Sequence, residues 1–153
     1  MGEFSIDVMC LDGSRERWNV SLADDEGAGI VLSDGSSLEW RSVGEDFFEA
    51  LTDIRLRVEP LGYSLLCNGA RVDAYPSGFS REASRGRSLY LLQIGRAARK
   101  QVDIFAYAAP SSVGTVMEQR SFYESWLAAP KRRRLADWIF DAMKEMWVRW
   151  RDR

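Results

Sequence analysis

Few side chains in this sequence could carry covalent or acid–base chemistry. The candidate nucleophiles are Cys10, Cys67 and many serines. The candidate bases are carboxylates, tyrosines and three lysines, Lys100, Lys131 and Lys144. There is no histidine. That excludes Ser-His-Asp and Cys-His catalysis, the zinc sites that need imidazole, and a histidine pH switch. No spacing of two carboxylates recommends a paired acid–base site. Cys10 and Cys67 each sit beside apolar residues and read as buried free thiols, with a disulfide between neighbouring strands as the alternative. Two cysteines without histidine cannot build a standard structural zinc site. The inventory favours binding over catalysis, and neither a cofactor nor a metal is expected.

Binding chemistry is better represented. The 153 residues carry 21 Lys+Arg and 23 Asp+Glu, a formal charge of −2. By position the balance is uneven. Residues 1–59 hold 14 acids and 5 bases (−9), residues 60–130 hold 5 and 8 (+3), and residues 131–153 hold 4 and 8 (+4). Such a gradient reflects either a charged partner or two halves that pack against each other.

Three clusters follow from it. The first is acidic: Asp24, Asp25 and Glu26 on a loop, then Asp46, Glu49 and Asp53 at helical spacing, where one face would carry them all. They suit a basic protein surface. No EF-hand spacing supports calcium. The second is Arg81, Arg85 and Arg87 in a Gly/Ser-rich stretch, able to grip a phosphate or carboxylate. The spacing of Gly69, Gly78 and Gly86 matches neither a P-loop nor a dinucleotide fingerprint. The third is Lys131, Arg132, Arg133 and Arg134, ahead of an amphipathic run holding three of the six tryptophans. Cations at a helix N-terminus oppose its dipole, which hints at a use such as phosphate contact. That run could equally be core, or a docking helix of a secretion adaptor or chaperone.

The elements that must position these residues follow from periodicity. Phe4, Ile6, Val8 and Cys10 alternate with polar residues, as do Trp18, Val20 and Leu22, across the turn Asp12-Gly13-Ser14. With Gly29–Leu32 and Leu38–Trp40, residues 1–41 are predicted to be β-hairpins. Ser42-x-x-Glu45 matches a capping box, so a helix is predicted over 42–60. Residues 61–108 read as a β-hairpin turning at Asn68-Gly69, then strands over Leu89–Ile94 and Val102–Tyr107. Residues 77–88 read as a loop or broken helix. Two C-terminal helices are predicted over 113–153, the last with Leu135, Trp138, Ile139, Met143 and Met146 on one face.

The length predicts one domain, 1–153, able to bury roughly 70% of its unfolded surface. The fold class is α+β: an antiparallel sheet of hairpins with helices packed on it. Met1–Leu11 lacks a basic start and carries Asp7 inside its apolar stretch, so it does not read as a secretory signal. No window is apolar enough for a membrane span. A cytoplasmic protein is expected. The acidic balance argues against nucleic acid as a partner.

The block Gly62–Arg71, then Tyr75-Pro76-Ser77-Gly78, Val102–Phe105, Val113–Arg120 and Phe122-Tyr123-Glu124-x-Trp126-Leu127 resembles small uncharacterised bacterial proteins. These look like immunity proteins of polymorphic toxin systems. The resemblance spans roughly residues 60–128. It implies a non-catalytic protein that neutralises a cognate toxin by direct contact. Asp24, Asp25, Glu26, Glu49 and Asp53 are then the candidate contact residues. The alternative is an anion or nucleic-acid binding module using Arg81, Arg85, Arg87, Arg132 and Arg133.

Overall fold

A computed structural model describes residues 2–131 together with Met143 and Met146. Four strands, β1 (Glu3–Met9), β2 (Arg15–Ala23), β3 (Ala28–Ser33) and β4 (Glu39–Gly44), form an antiparallel meander. β5 (Ser64–Leu65) joins beside β1, so the sheet order is β4-β3-β2-β1-β5. The two Asp-Gly-Ser turns work alike. Asp12 accepts from Ser14 N and Oγ at 2.9 and 2.6 Å, and Asp34 accepts from Ser36 N and Oγ at 2.9 Å each. Gly13 and Gly35 both have φ +83°, the left-handed conformation such turns require. These hydrogen bonds hold both carboxyls below the ordinary aspartate range.

Alternation decides the faces. Ile6, Val8, Trp18, Val20, Leu22, Ile30 and Leu32 are buried on one side of the sheet. Helix α1 (Phe47–Val58) packs against β3 and β4 and adds Phe47, Phe48, Leu51, Ile54 and Val58 to the same core. The helix begins later than Ser42 would predict. β4 stays paired with β3 through Gly44, and Asp46 is the cap, accepting from Glu49 N at 2.8 Å. Glu49 Oε2 accepts from Glu45 N at 2.6 Å. Asp46-x-x-Glu49 repeats the cap spacing, and this start buries both Phe47 and Phe48 without breaking β4.

A second, three-stranded sheet runs β6-β7-β8: β6 (Ala74–Tyr75), β7 (Ser88–Leu91) and β8 (Lys100–Asp103). Asn68-Gly69 is not a hairpin turn. β5 pairs with β1 and β6 with β7, while Asn68–Ala70 is a buried 3-10 turn. Gly69 N donates to Ile104 O at 2.8 Å, and a Cβ there would overlap Leu51 and Ile104. The glycine serves close packing in the core, where a solvated turn was predicted.

Residues 77–88 hold a helix, α2 (Gly78–Ser84), where a loop or broken helix was predicted. Ser77 and Ser80 cap it reciprocally, each side chain accepting from the other's backbone N–H. Helix α3 (Val116–Ala128) starts from a Thr115/Glu118 capping box. The described residues are thus α+β, with an antiparallel five-stranded sheet, a second sheet and the helices α1, α2 and α3. Met143 and Met146 are helical and exposed. The rest of the predicted last helix, with Arg132 and Arg133, lies outside the described residues. Among the described residues, no helix is long and apolar enough to cross a membrane.

Both cysteines are free. Cys10 is half-buried, not fully buried as its apolar neighbours suggested. Burial raises both thiols, Cys67 to about 11. A thiol reagent near neutral pH is expected to count one slow thiol per native chain and two in denaturant. Two fast equivalents in the native protein would contradict the burial of Cys67.

Candidate functional site

Two residues of the acidic cluster, Asp24 and Asp46, meet two of the arginine cluster. Arg85, at the C-terminal end of α2, reaches Asp24 at 2.5 Å. Arg81, one turn earlier, donates to Asp46 at 2.6 Å. Arg87 lies 3.4 Å from Asp103. The gradient in the sequence therefore partly reflects two halves packing together. The backbone reinforces the junction. Arg85 sits at φ +56°, and its carbonyl accepts from Phe47 N at 2.8 Å. Gly86 backs onto Asp46, leaving no room for a Cβ (2.9 Å from the carboxyl carbon).

Other acids stay open to solvent. Asp25, Glu26, Glu45 and Glu49 are exposed, and among the described residues none has an ion-pair partner. Asp53 is exposed but pairs with Arg57 at 2.9 Å. Of the five predicted contact residues, Glu26 and Glu49 border one depression, with Gly27, Val43, Gly44, Glu45 and Arg85. Asp25 is adjacent to Glu26 in the chain, Asp24 is engaged by Arg85, and Asp53 lies one turn along α1 from Glu49.

Glu45 and Glu49 also border a second hollow, a cleft of about 210 Å³. They thus stand on a ridge between two depressions. In the cleft, Glu45, Glu49 and Thr52 stand on the α1 side. Arg120 and Val116 stand on α3, Arg81 on α2, and Phe48 and Tyr75 supply aromatic surface. The Arg81 guanidinium lies over both rings, at 5.4 and 6.0 Å from their centroids. Tyr75 stacks on Tyr123 of α3 at 3.8 Å.

A buried polar network fixes the cleft walls. Arg55 of α1 is fully buried. It donates to Glu59 Oε1 (2.7 Å), Gly69 O (3.0 Å), Gly114 O (2.8 Å) and Gln119 Oε1 (2.6 Å). Glu59 Oε2 accepts from Val116 N at 3.1 Å, at the start of α3. Gln119 Nε2 lies within hydrogen-bonding distance of Gly69 O, Arg71 O and Ala74 O. This ties α3 to α1 and to the strand β6 that carries Tyr75.

Sequence reasoning missed the cleft. Its residues come from β6 and three helices that are remote in sequence, and no local spacing links Thr52 to Arg120. Among the described residues, no three of Cys, Asp and Glu converge as metal ligands. No protein-family model matches the chain, and no curated protein is significantly similar to it.

Proposed function

We propose that this chain is a non-catalytic binding protein whose acidic ridge receives a basic surface of another protein, as an immunity protein receives its toxin domain. One observation carries the reading: Glu26, Glu45 and Glu49 border one open depression without ion-pair partners among the described residues. Clustered exposed charge of one sign steers a partner of the opposite sign and fixes its orientation. Exposed Val43 beside them adds apolar surface. The anion-binding alternative is less favoured, because Arg81, Arg85 and Arg87 each face a carboxylate.

The test is affinity for the protein encoded beside this chain's gene, tested as a purified toxin-like domain. Asp25→Lys, Glu26→Lys and Glu45→Lys are each expected to weaken binding about tenfold. The loss should lie mainly in the association rate and shrink with added salt. Urea midpoints of the variants check that folding is unchanged. Reversals that leave a salt-insensitive affinity untouched would remove the acidic ridge from the interface.

A further inference from the structure

The cleft between α1 and α3 has a charge pattern that the partner-binding ridge does not require. Glu45 and Glu49 stand on its α1 side, with the Thr52 hydroxyl. Arg120 stands across from them on α3. It is exposed, and among the described residues it has no ion-pair partner. Arg81 is the second cation, and Asp46 already neutralises it at 2.6 Å. Among the described residues, the charges without an ion-pair partner are therefore two carboxylates and one guanidinium, and Glu49 Oε2 also accepts from Glu45 N at 2.6 Å. Tyr75 is half-buried, whereas Phe48 and Val116 line the cleft with little exposed surface, at 4% and 5%.

We propose that this cleft binds a free α-amino acid as its zwitterion, with an apolar or aromatic side chain against Phe48 and Tyr75. Three observations bear on the ligand class. The first is size. At about 210 Å³, the cleft falls below the roughly 300–1,000 Å³ of sites for drug-sized ligands, which limits the ligand to about one residue. The second is polarity. An ammonium group needs several acceptors, and Glu45, Glu49 and Thr52 offer them. A carboxylate suits a guanidinium fork, which Arg120 offers. A purely cationic ligand would meet Arg120 unfavourably, and a purely anionic one would meet Glu45 and Glu49. The third is preorganisation. The Arg55–Glu59–Gln119 network fixes α3 against α1, and stacking of Tyr123 on Tyr75 holds one ring in place. Little ordering is then left to bind a small ligand.

The inference does not rest on the partner-binding reading. The test titrates the full chain with L-phenylalanine, L-phenylalaninamide and N-acetyl-L-phenylalanine, followed by backbone amide NMR shifts. Phenylalanine is expected to saturate with a Kd of about 1 mM or tighter, shifting amides at Phe48, Thr52, Tyr75 and Arg120. The amide and the acetyl derivative should each bind at least about tenfold more weakly. Arg120→Gln and Glu49→Gln should each weaken phenylalanine by a similar factor, whereas Asp25→Lys should not. Circular dichroism confirms that the variants are folded. Equal binding of all three probes, no saturation, or shifts outside the cleft would overturn the proposal. Because Asp25→Lys is expected to weaken only the protein partner, the two readings fail separately.

Discussion

Replacing Arg55 with leucine is expected to cost about 3–5 kcal/mol, enough to threaten folding. The residue is fully buried and donates to four acceptors on three parts of the chain. Leucine restores apolar volume but leaves Glu59, at 16% side-chain exposure, without its cation. It also strips the Arg55 donor from Gly114 O and Gln119 Oε1, while Gly69 O keeps Gln119 Nε2. A buried acceptor left without a donor costs about 1–3 kcal/mol. Lysine should be nearly as damaging, because one ammonium cannot reproduce a guanidinium's divergent N–H groups. Urea unfolding of both variants and of the native chain measures this. A drop in midpoint with unchanged slope is expected. A double-mutant cycle with Gln119→Leu should be strongly non-additive, since the two side chains share a 2.6 Å hydrogen bond and the Gly69 carbonyl. A loss below about 1 kcal/mol for Arg55→Leu would mean that the network contributes little to the fold.

None of that network was legible in the sequence. Asp53, Arg55 and Arg57 alternate in the sequence, the pattern of an exposed charged face. On a helix of period 3.6 Arg55 sits beside Leu51 and Ile54, so periodicity alone allowed burial. What made burial possible was long-range: Gln119 and Gly114 arrive from 59 or more residues away. The local signals were more dependable. Alternation in β1 and β2 named the inner face, and the Asp12-Gly13-Ser14 turn formed as its spacing requires. Where a local signal and tertiary packing competed, packing decided. Ser42 was the predicted cap, and continuation of β4 through Gly44 moved the helix start to Asp46. Asn68-Gly69 offered a hairpin, but Gly69 was needed where Leu51 and Ile104 close in.

The charge gradient shows the same limit. Counting by segment suggested a charged partner or internal packing, and the count could not choose between them. The structure divides the acids. Asp24 and Asp46 are held by Arg85 and Arg81, so they belong to the fold. Asp25, Glu26, Glu45 and Glu49 remain exposed without ion-pair partners among the described residues. Only the second group can serve binding without first breaking an internal pair. Substituting Asp24 would therefore confound stability with affinity, which is why the binding test uses Asp25, Glu26 and Glu45.

Trp18→Ala is expected to destabilise the chain by about 3–5 kcal/mol. The side chain is fully buried at the centre of the five-stranded sheet. It stacks on Trp40 at 4.9 Å and meets the edge of Tyr63 at 4.8 Å. Its indole N–H donates to Glu16 at 2.7 Å. Three terms therefore fall together. Removing the rings leaves a cavity beneath β2, both aromatic contacts disappear at about 0.5–1.5 kcal/mol each, and Glu16 loses a donor. Because Trp40 and Tyr63 are only half-buried, they can partly collapse into the gap, which keeps the cost within the usual range for a large-to-small change. Trp18→Phe should cost much less, since it keeps one ring against Trp40 and Tyr63 and loses mainly the hydrogen bond. The neighbouring Asn19 points to the opposite face, so Asn19→Ala should stay within about 0.5 kcal/mol. Urea midpoints for the three variants give the ordering. If Asn19→Ala were as damaging as Trp18→Ala, the sheet's inner and outer faces would be assigned the wrong way round. That would also undo the placement of α1, and with it the ridge that Glu45 and Glu49 form.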